Sequence, residues 1–208
     1  MKSTLKIKTA ALQVIFVSSI IFGVASCENK EKEKNENDAE ATKTMTPEVA
    51  EDMNEDKFNK NADEDNAEFL VKAAEINLEE ISLGKLAHKK SSNKDVKEFG
   101  KMMETAHMKA LADLQKLASK KTISIPAELP QDAKNKYNNF ETKSEKDFNK
   151  DYIDKMVSGH KDAIQLFEKH STDSKDEDIK TWATSMLPEL RTHLDHAVEI
   201  QEKLSKLK

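Results

Sequence analysis

The chain has 208 residues and a formal net charge of −5, and 35% of its residues are charged. This acidic balance makes nucleic acid and anionic membrane surfaces poor partners. With only four glycines and four prolines, a turn-rich β fold is disfavoured. The single cysteine cannot form an internal disulfide.

The start of the chain, 1–26, has the pattern of an export signal. Three lysines form a basic start, and an apolar run at 10–24 is too short for a membrane-spanning helix. The run ends in 24-VASC-27, which resembles a bacterial lipobox, where cleavage leaves Cys27 as a lipid-bearing N-terminus. We predict a lipoprotein signal peptide at 1–26 and a membrane anchor on Cys27. The alternative is an ordinary secretory signal that leaves a free thiol.

A highly charged segment follows the cysteine. Of the 38 residues from Glu28 to Asp65, 20 are Asp, Glu or Lys, too polar a composition to bury much surface. We predict a disordered charged tether over 27–65, within which a short helix could start at Thr46. Mixed charge beside a lipidated cysteine resembles export tags of surface lipoproteins in Gram-negative bacteria. The predicted location is therefore the Gram-negative cell envelope, at the periplasmic or surface face of the outer membrane. Without the three signal lysines, the mature chain carries a charge of −8.

Residues 66–208 form one predicted domain with four long amphipathic helices. The pattern predicts helices over Asn66–Lys89 and Asn93–Lys120, a third from Ser144, and a fourth after residues 171–175. Two prolines interrupt the crossover between helices two and three, where a short extra helix is expected up to Glu141. Short loops after helices one and three make antiparallel neighbours. The predicted fold is all-α: an up-down-up-down four-helix bundle.

Each long helix carries one ionisable residue on its apolar face: Glu80, His107, His160 and His193. At 1.5 Å per residue, Glu80 and His107 are level within roughly 5 Å, whereas His160 and His193 are offset by about 10 Å. Pro188 removes a backbone hydrogen bond, so we predict a helix kink that could re-aim His193.

Two interpretations of this cluster are open. Three histidines and a carboxylate suit zinc, iron or copper. A network between Glu80 and the histidines would instead satisfy buried polar groups without any metal. The secondary candidates for either role are Asn77, Glu104 and Glu189.

Three segments carry a resemblance to a known family: 79-EEISLGKLA-87, 156-MVSGHKDAIQLF-167 and 187-LPELRTHL-194. They resemble a ferritin-like family of bacterial exported proteins, catalogued as a domain of unknown function and often labelled outer-membrane proteins. The resemblance covers Glu68 to Leu204 and implies a ferritin-like bundle. The family's recurring polar positions fall on Glu80, His107, His160 and His193.

The resemblance does not imply ferroxidase chemistry. Di-iron bundles take a glutamate from each of two helices and Glu-x-x-His from the other two. Here Glu104 and His107 match that spacing, but Glu189 and His193 are four residues apart, and His160 replaces a glutamate.

The sequence thus predicts a lipid-anchored envelope lipoprotein whose bundle is a non-catalytic binding or stress-related module. The alternative is a metal-binding or metal-dependent redox protein that uses the Glu/His cluster. A third option is a lipoprotein that binds a protein partner through an outer face. The predicted partner is the membrane, through lipid on Cys27. Nucleic acid is not expected to bind, and no pattern identifies a protein partner.

Overall fold

The computed structural model describes residues 44–58 and 62–206. This part of the chain contains six α-helices: α1 (Pro47–Glu55), α2 (Ala62–Lys90), α3 (Lys94–Lys121), α4 (Gln131–Thr142), α5 (Glu145–Asp173) and α6 (Glu177–Lys206). The all-α prediction is confirmed. The predicted signal peptide, Cys27 and the first part of the tether lie outside the described residues.

The four long helices pair as antiparallel neighbours. α2 packs along α3 across the short connection 91–93, and α5 packs along α6 across 174–176. α2 also contacts α5, and α3 contacts α6, so the two pairs form a helical bundle. The short helix α4 lies in the predicted crossover and contacts α2 and α5.

Side-chain caps explain why several helices begin where they do. Asn93 Oδ1 accepts the Val96 N–H at 3.1 Å, and Ser144 Oγ accepts the Asp147 N–H at 3.2 Å. Helix α2 instead begins at Ala62, ahead of the boundary expected at Asn66. Acidic residues fill its first turn, where the helix dipole favours negative charge.

Part of the predicted tether is folded. Thr46 caps α1, and the Met45 carbonyl accepts the Ala127 N–H at 2.9 Å. The buried Asn54 amide donates to the Ser124 carbonyl and accepts the Ser124 N–H, both at 2.8 Å. These bonds fix α1 to the α3–α4 connection, so the folded region includes the short helix that could start at Thr46.

The buried core is divided into two apolar clusters by a polar layer. The first cluster lies in the first halves of α2 and α6 and the second halves of α3 and α5, and it contains Phe69, Leu70, Leu114, Phe167, Ile179 and Leu190. The second lies in the opposite halves and contains Leu83, Phe99, Met103, Phe148, Tyr152 and Ile200. Between the two clusters, every long helix carries at least one buried polar residue, and these are Asn77, Glu80, His107, His160 and His193.

Glycines bring α2 and α3 into close contact beside this layer. A Cβ on Gly84 would lie 2.7 Å from the Gly100 carbonyl oxygen, and a Cβ on Gly100 would lie 2.7 Å from the Gly84 carbonyl oxygen. Only glycine fits such an approach of two backbones. The crossing therefore fixes how the Asn77 side of α2 faces the His107 side of α3.

Candidate metal centre

Hydrogen bonds orient the His107 ring. The buried Asn77 amide donates from Nδ2 to the Ala73 carbonyl at 2.7 Å, so its Oδ1 is the atom that faces His107 as an acceptor. His107 Nδ1 lies 3.0 Å from that oxygen and must donate to it. The proton therefore sits on Nδ1, and Nε2 carries a lone pair. That Nε2 atom is buried and has no hydrogen-bond partner.

His160 is oriented in the same way by its own helix. Its Nδ1 lies 2.9 Å from the Met156 carbonyl, which can only accept, so Nδ1 carries the proton. Its Nε2 therefore has a lone pair, and it faces His193 Nδ1 at 3.4 Å. A backbone carbonyl that fixes the tautomer of a histidine is typical of metal ligands.

The three imidazoles converge on one point. One ring nitrogen from each of His107, His160 and His193 lies within 4.8 Å of the other two. The ring centroids are 5.4–5.7 Å apart. Nitrogens around a tetrahedral zinc ion are roughly 3.3 Å apart, given bonds of about 2.0–2.1 Å. The His160–His193 separation is already close to this value.

The large axial offset predicted between His160 and His193 is therefore wrong. Helix α5 continues to Asp173 and α6 begins at Glu177, so the two histidines are at nearly equal distances from the connection between these helices. Their remaining difference is less than one helical turn, or about 4.5 Å along the axis. Helix α5 ends later and α6 begins later than the sequence pattern predicts.

Glu80 is in the layer but outside the histidine group. Its side chain is only 3% exposed, and its Oε2 has no hydrogen-bond partner. Its Oε1 lies 3.5 Å from the position that a Cβ on Gly159 would occupy. Among the described residues, one cluster of side chains could hold a metal ion. It consists of His107, His160 and His193 and does not include Glu80. The expected Glu80–histidine network is not what surrounds the imidazoles.

Burial controls the charge of every group in the layer. Desolvation, followed by repulsion from the neighbouring imidazoles, lowers the pKa of His107 well below its ordinary value and that of His193 to about 3. Burial also lowers the pKa of His160. Burial, with a smaller contribution from Glu79, raises the pKa of Glu80 to about 8. The three imidazoles are thus neutral at pH 7, the form that binds metals.

The remaining candidates lie at different places. Asn77 is part of the layer through its bond to His107. Glu104 is near His88, with a carboxyl oxygen 3.9 Å from His88 Nδ1, and Glu189 is exposed. Pro188 lies within α6, which continues through it. The predicted kink stays a prediction.

Two residues beside the layer were not singled out from sequence. Tyr152 is fully buried, its hydroxyl has no partner, and burial together with the nearby Glu80 carboxyl raises its pKa well above the ordinary value. Gly159 lies beside the Glu80 carboxyl, whose Oε1 is 3.5 Å from where a Cβ on this glycine would be. A glycine next to a core histidine, in 158-SGH-160, is the signal that could have identified the second.

The fold and the site define an all-α bundle with a buried layer of three histidines. The family catalogued as a domain of unknown function, DUF4142, matches residues 50–200, which is well over half of the chain. The chain therefore belongs to this family, and the predicted membership in a family of unknown function is confirmed. No curated protein and no solved structure matches the chain.

The described helices also bear on membrane spanning. None of those in residues 44–58 and 62–206 combines the length and apolar character needed to cross a bilayer.

Proposed function

We propose that this protein binds a transition-metal ion through His107, His160 and His193. The observation that carries the proposal is the buried lone pair on His107 Nε2, which has no partner and belongs to a group of three converging imidazoles. A buried polar atom without a partner costs about 1–3 kcal/mol. A metal ion would satisfy this atom and would use the tautomers that Asn77 and the Met156 carbonyl impose.

The donor set indicates which ions suit the site. Three neutral imidazoles favour zinc, copper or iron over magnesium and calcium, which prefer oxygen ligands. Three protein ligands would leave one position of a tetrahedral ion open to water or a small ligand. Glu104 and Glu189 lie outside the cluster, which argues against a di-iron oxidase. We therefore propose metal binding rather than ferroxidase chemistry.

The architecture supports a ferritin-like, up-down-up-down four-helix bundle as the setting of this site. Short connections join α2 to α3 and α5 to α6, and a longer crossover with α4 links the pairs. One ligand each from α3, α5 and α6 is the way such bundles build metal sites from facing helices.

We further propose that the bundle is tethered to the cell envelope by lipid on Cys27, at the outer membrane of a Gram-negative bacterium. The support is the 24-VASC-27 sequence after a basic and apolar signal. Each buried methylene of an acyl chain adds about 0.8 kcal/mol of membrane affinity. Membrane fractionation of Cys27→Ser tests this: release into the soluble fraction is expected, and unchanged membrane retention would refute lipidation.

Metal binding is tested by calorimetric titration of the full chain carrying Cys27→Ser with zinc, and separately with copper. We expect one ion per chain and loss of binding in His160→Leu and His193→Leu. The matched control is His196→Leu, which removes an exposed histidine from the same helix as His193. Equal binding by all four proteins would overturn the proposal.

A metal-free structural role is the second candidate. It is favoured by the Asn77–His107 and His160–His193 contacts, which satisfy several ring nitrogens within the protein. In that case the bundle would be a binding or stress-related envelope module whose ligand lies elsewhere. The protein would then take up no zinc, copper or iron, and the histidine substitutions would change thermal stability alone.

A further inference from the structure

A cavity of about 590 Å³ opens beside the polar layer, between α2, α5 and the start of α4. Its walls are partly apolar, with contributions from Ile76, Leu129 and Leu166. Its lining includes Gly159 and also Glu80, whose side chain is only 3% exposed and therefore lies on the buried side of the cavity. Gly159 directly precedes His160 along α5, and Glu80 is one helical turn beyond Asn77 on α2. The cavity therefore reaches two of the helical turns that support the histidine centre.

Glu80 is the unusual member of this lining. The carboxyl group is almost fully buried, yet its Oε2 has no hydrogen-bond partner. The Oε1 atom faces Gly159 and lies 3.5 Å from where a Cβ on that glycine would be, which is an ordinary van der Waals distance. A buried carboxyl group without partners at the end of a cavity is unexplained by packing and points to a ligand that arrives through that cavity.

The charge of the cavity selects cations. Three lysines line it, and each pairs with a carboxylate of the same lining: Lys72 with Glu75 at 2.6 Å, Lys136 with Asp132 at 3.3 Å and Lys155 with Glu79 at 3.0 Å. Glu48 and Asp162 also line it, so carboxylates outnumber lysines even when Glu80 is left aside. A cleft with a surplus of one sign of charge concentrates ions of the other sign.

We propose that this cavity is the path by which a divalent cation reaches the three-histidine centre, and that Glu80 is the carboxylate that receives the cation at its inner end. This proposal rests on the proposed metal-binding function. Hard oxygen ligands exchange hydrated divalent ions readily, whereas imidazole holds zinc and copper more firmly. The Glu80 carboxyl would lose its proton to solvent in the cavity as it binds the cation, and the cation would then transfer to the neutral imidazoles.

The test is the kinetics of cobalt(II) uptake, followed by the visible absorption of the tetrahedral ion in stopped flow. All proteins are full chains carrying Cys27→Ser, so that the thiol does not compete. We expect Glu80→Gln to lower the second-order rate constant by about tenfold or more. The matched control is Glu98→Gln, which removes an exposed carboxylate of α3 that lies outside the cavity lining.

Gly159→Ala gives an independent variant that leaves Glu80 in place. The added Cβ would contact Oε1 at an ordinary van der Waals distance, and alanine favours the helix, so the melting temperature should not fall. It narrows the inner end of the cavity, and we expect uptake and release of cobalt to slow by the same factor, with the dissociation constant unchanged. Ser158→Ala, an exposed neighbour on the same turn, is its control.

The outcomes separate this inference from the proposed function. If the parent protein takes up no cobalt, the proposed metal binding itself fails. If it binds cobalt and both variants take it up at the parent rate, the access path is wrong while the histidine centre stands. If Glu80→Gln raises the dissociation constant and leaves the uptake rate unchanged, Glu80 is a ligand of the centre and not a receiving group. That result also overturns the inference.

Discussion

The two apolar clusters and the polar layer between them are built from the same four helices but obey different rules. In the clusters, side chains such as Phe148 and Leu114 are completely buried and need only volume and shape to be satisfied. In the layer, each buried group needs a specific partner, and His107 Nε2 and Glu80 Oε2 have none. Apolar burial thus stabilises the bundle, whereas the unpartnered polar atoms of the layer lower its stability. Such atoms in a folded protein call for an explanation, and a functional role is one.

Another buried histidine, His170, shows how a packing residue in the first cluster differs from the histidines of the layer. His170 stacks on Phe69 with ring centroids 4.0 Å apart, and its Nδ1 lies 2.9 Å from the Leu166 carbonyl. It is a packed residue near the end of α5, and no other described histidine is grouped around it. His160 has the same kind of carbonyl bond but faces two other imidazoles. Convergence, not burial, distinguishes a candidate ligand from a packing residue.

The largest effect should come from removing an aromatic ring from an apolar cluster. Phe148 is 0% exposed and stacks on Tyr152 with centroids 5.7 Å apart. We expect Phe148→Ala to lower the free energy of unfolding by about 3–5 kcal/mol, through lost burial and the cavity left behind. Urea denaturation measures this, and a loss near zero would show that the second cluster does not support the fold as described.

The glycine crossing should tolerate substitution less well than Gly159 does. In Gly100→Ala the new Cβ would lie 2.7 Å from the Gly84 carbonyl oxygen and 2.8 Å from Ala87 Cβ, so α2 and α3 must move apart. We expect a loss of about 1–3 kcal/mol despite the higher helix propensity of alanine. Thermal unfolding beside Gly159→Ala provides the contrast; equal melting temperatures for the two variants would contradict the close approach.

Glu80 should make stability fall as pH rises. Its pKa is about 8 in the folded protein against 4.5 ordinarily, so between these values the folded state holds one more proton than the unfolded state. The free energy of unfolding should therefore drop by about 1.4 kcal/mol per pH unit, and Glu80→Gln should remove this slope. Denaturant titrations at pH 7 and 8 check it; an unchanged slope in Glu80→Gln would show that Glu80 is ionised when folded.

The histidines make the free energy of unfolding depend on pH in the opposite direction, and they do so in a more acidic pH range. Their lowered pKa values mean that the unfolded chain takes up protons first as pH falls below 6.5, and stability declines from there towards about pH 3, the value for His193. Measurements above pH 7 therefore isolate Glu80 from them. Replacing the histidines should flatten only the acid side of the profile.

The smallest effect on stability is expected from replacing a bonded pair of the layer by apolar residues. Asn77→Leu with His107→Leu removes both members of one hydrogen bond together with the unpartnered Nε2 atom. Such exchanges are nearly neutral or stabilising, so the metal-free protein should change by less than about 1 kcal/mol. Metal should then no longer raise the melting temperature. A large loss of stability without metal would identify the layer as a structural network.

Much of this architecture could be predicted from the sequence because the apolar residues of an amphipathic helix fall on one face, and that face is the one buried in the core. The starts of α3 and α5 followed from Asn93 and Ser144, whose side chains cap the helices. The start of α2 did not, because the helix begins at Ala62, four residues ahead of Asn66, within the charged segment that was predicted to be a tether. Helix α1 is fixed by bonds between Asn54 and Ser124, 70 residues apart, which no local pattern can reveal.

The candidate site was predictable in its members but not in its geometry. One ionisable residue on each apolar face indicated Glu80, His107, His160 and His193, and all four are buried in one layer. Their distances depend on helix ends and on the Gly84–Gly100 approach, so a small error in the helix ends placed His160 and His193 too far apart. Glu80 is separated from the imidazoles because its side chain on α2 points towards Gly159 of α5. The spacing of residues along a helix does not predict such a side-chain direction.

The most direct test of the account is X-ray absorption at the zinc edge on the one-to-one complex of the full chain carrying Cys27→Ser. A three-histidine centre should give an inner shell with about three imidazole nitrogens at roughly 2.0–2.1 Å, reduced in His107→Leu, His160→Leu and His193→Leu. A shell of oxygen ligands alone, or a spectrum that those three substitutions leave unchanged, would contradict a three-histidine centre.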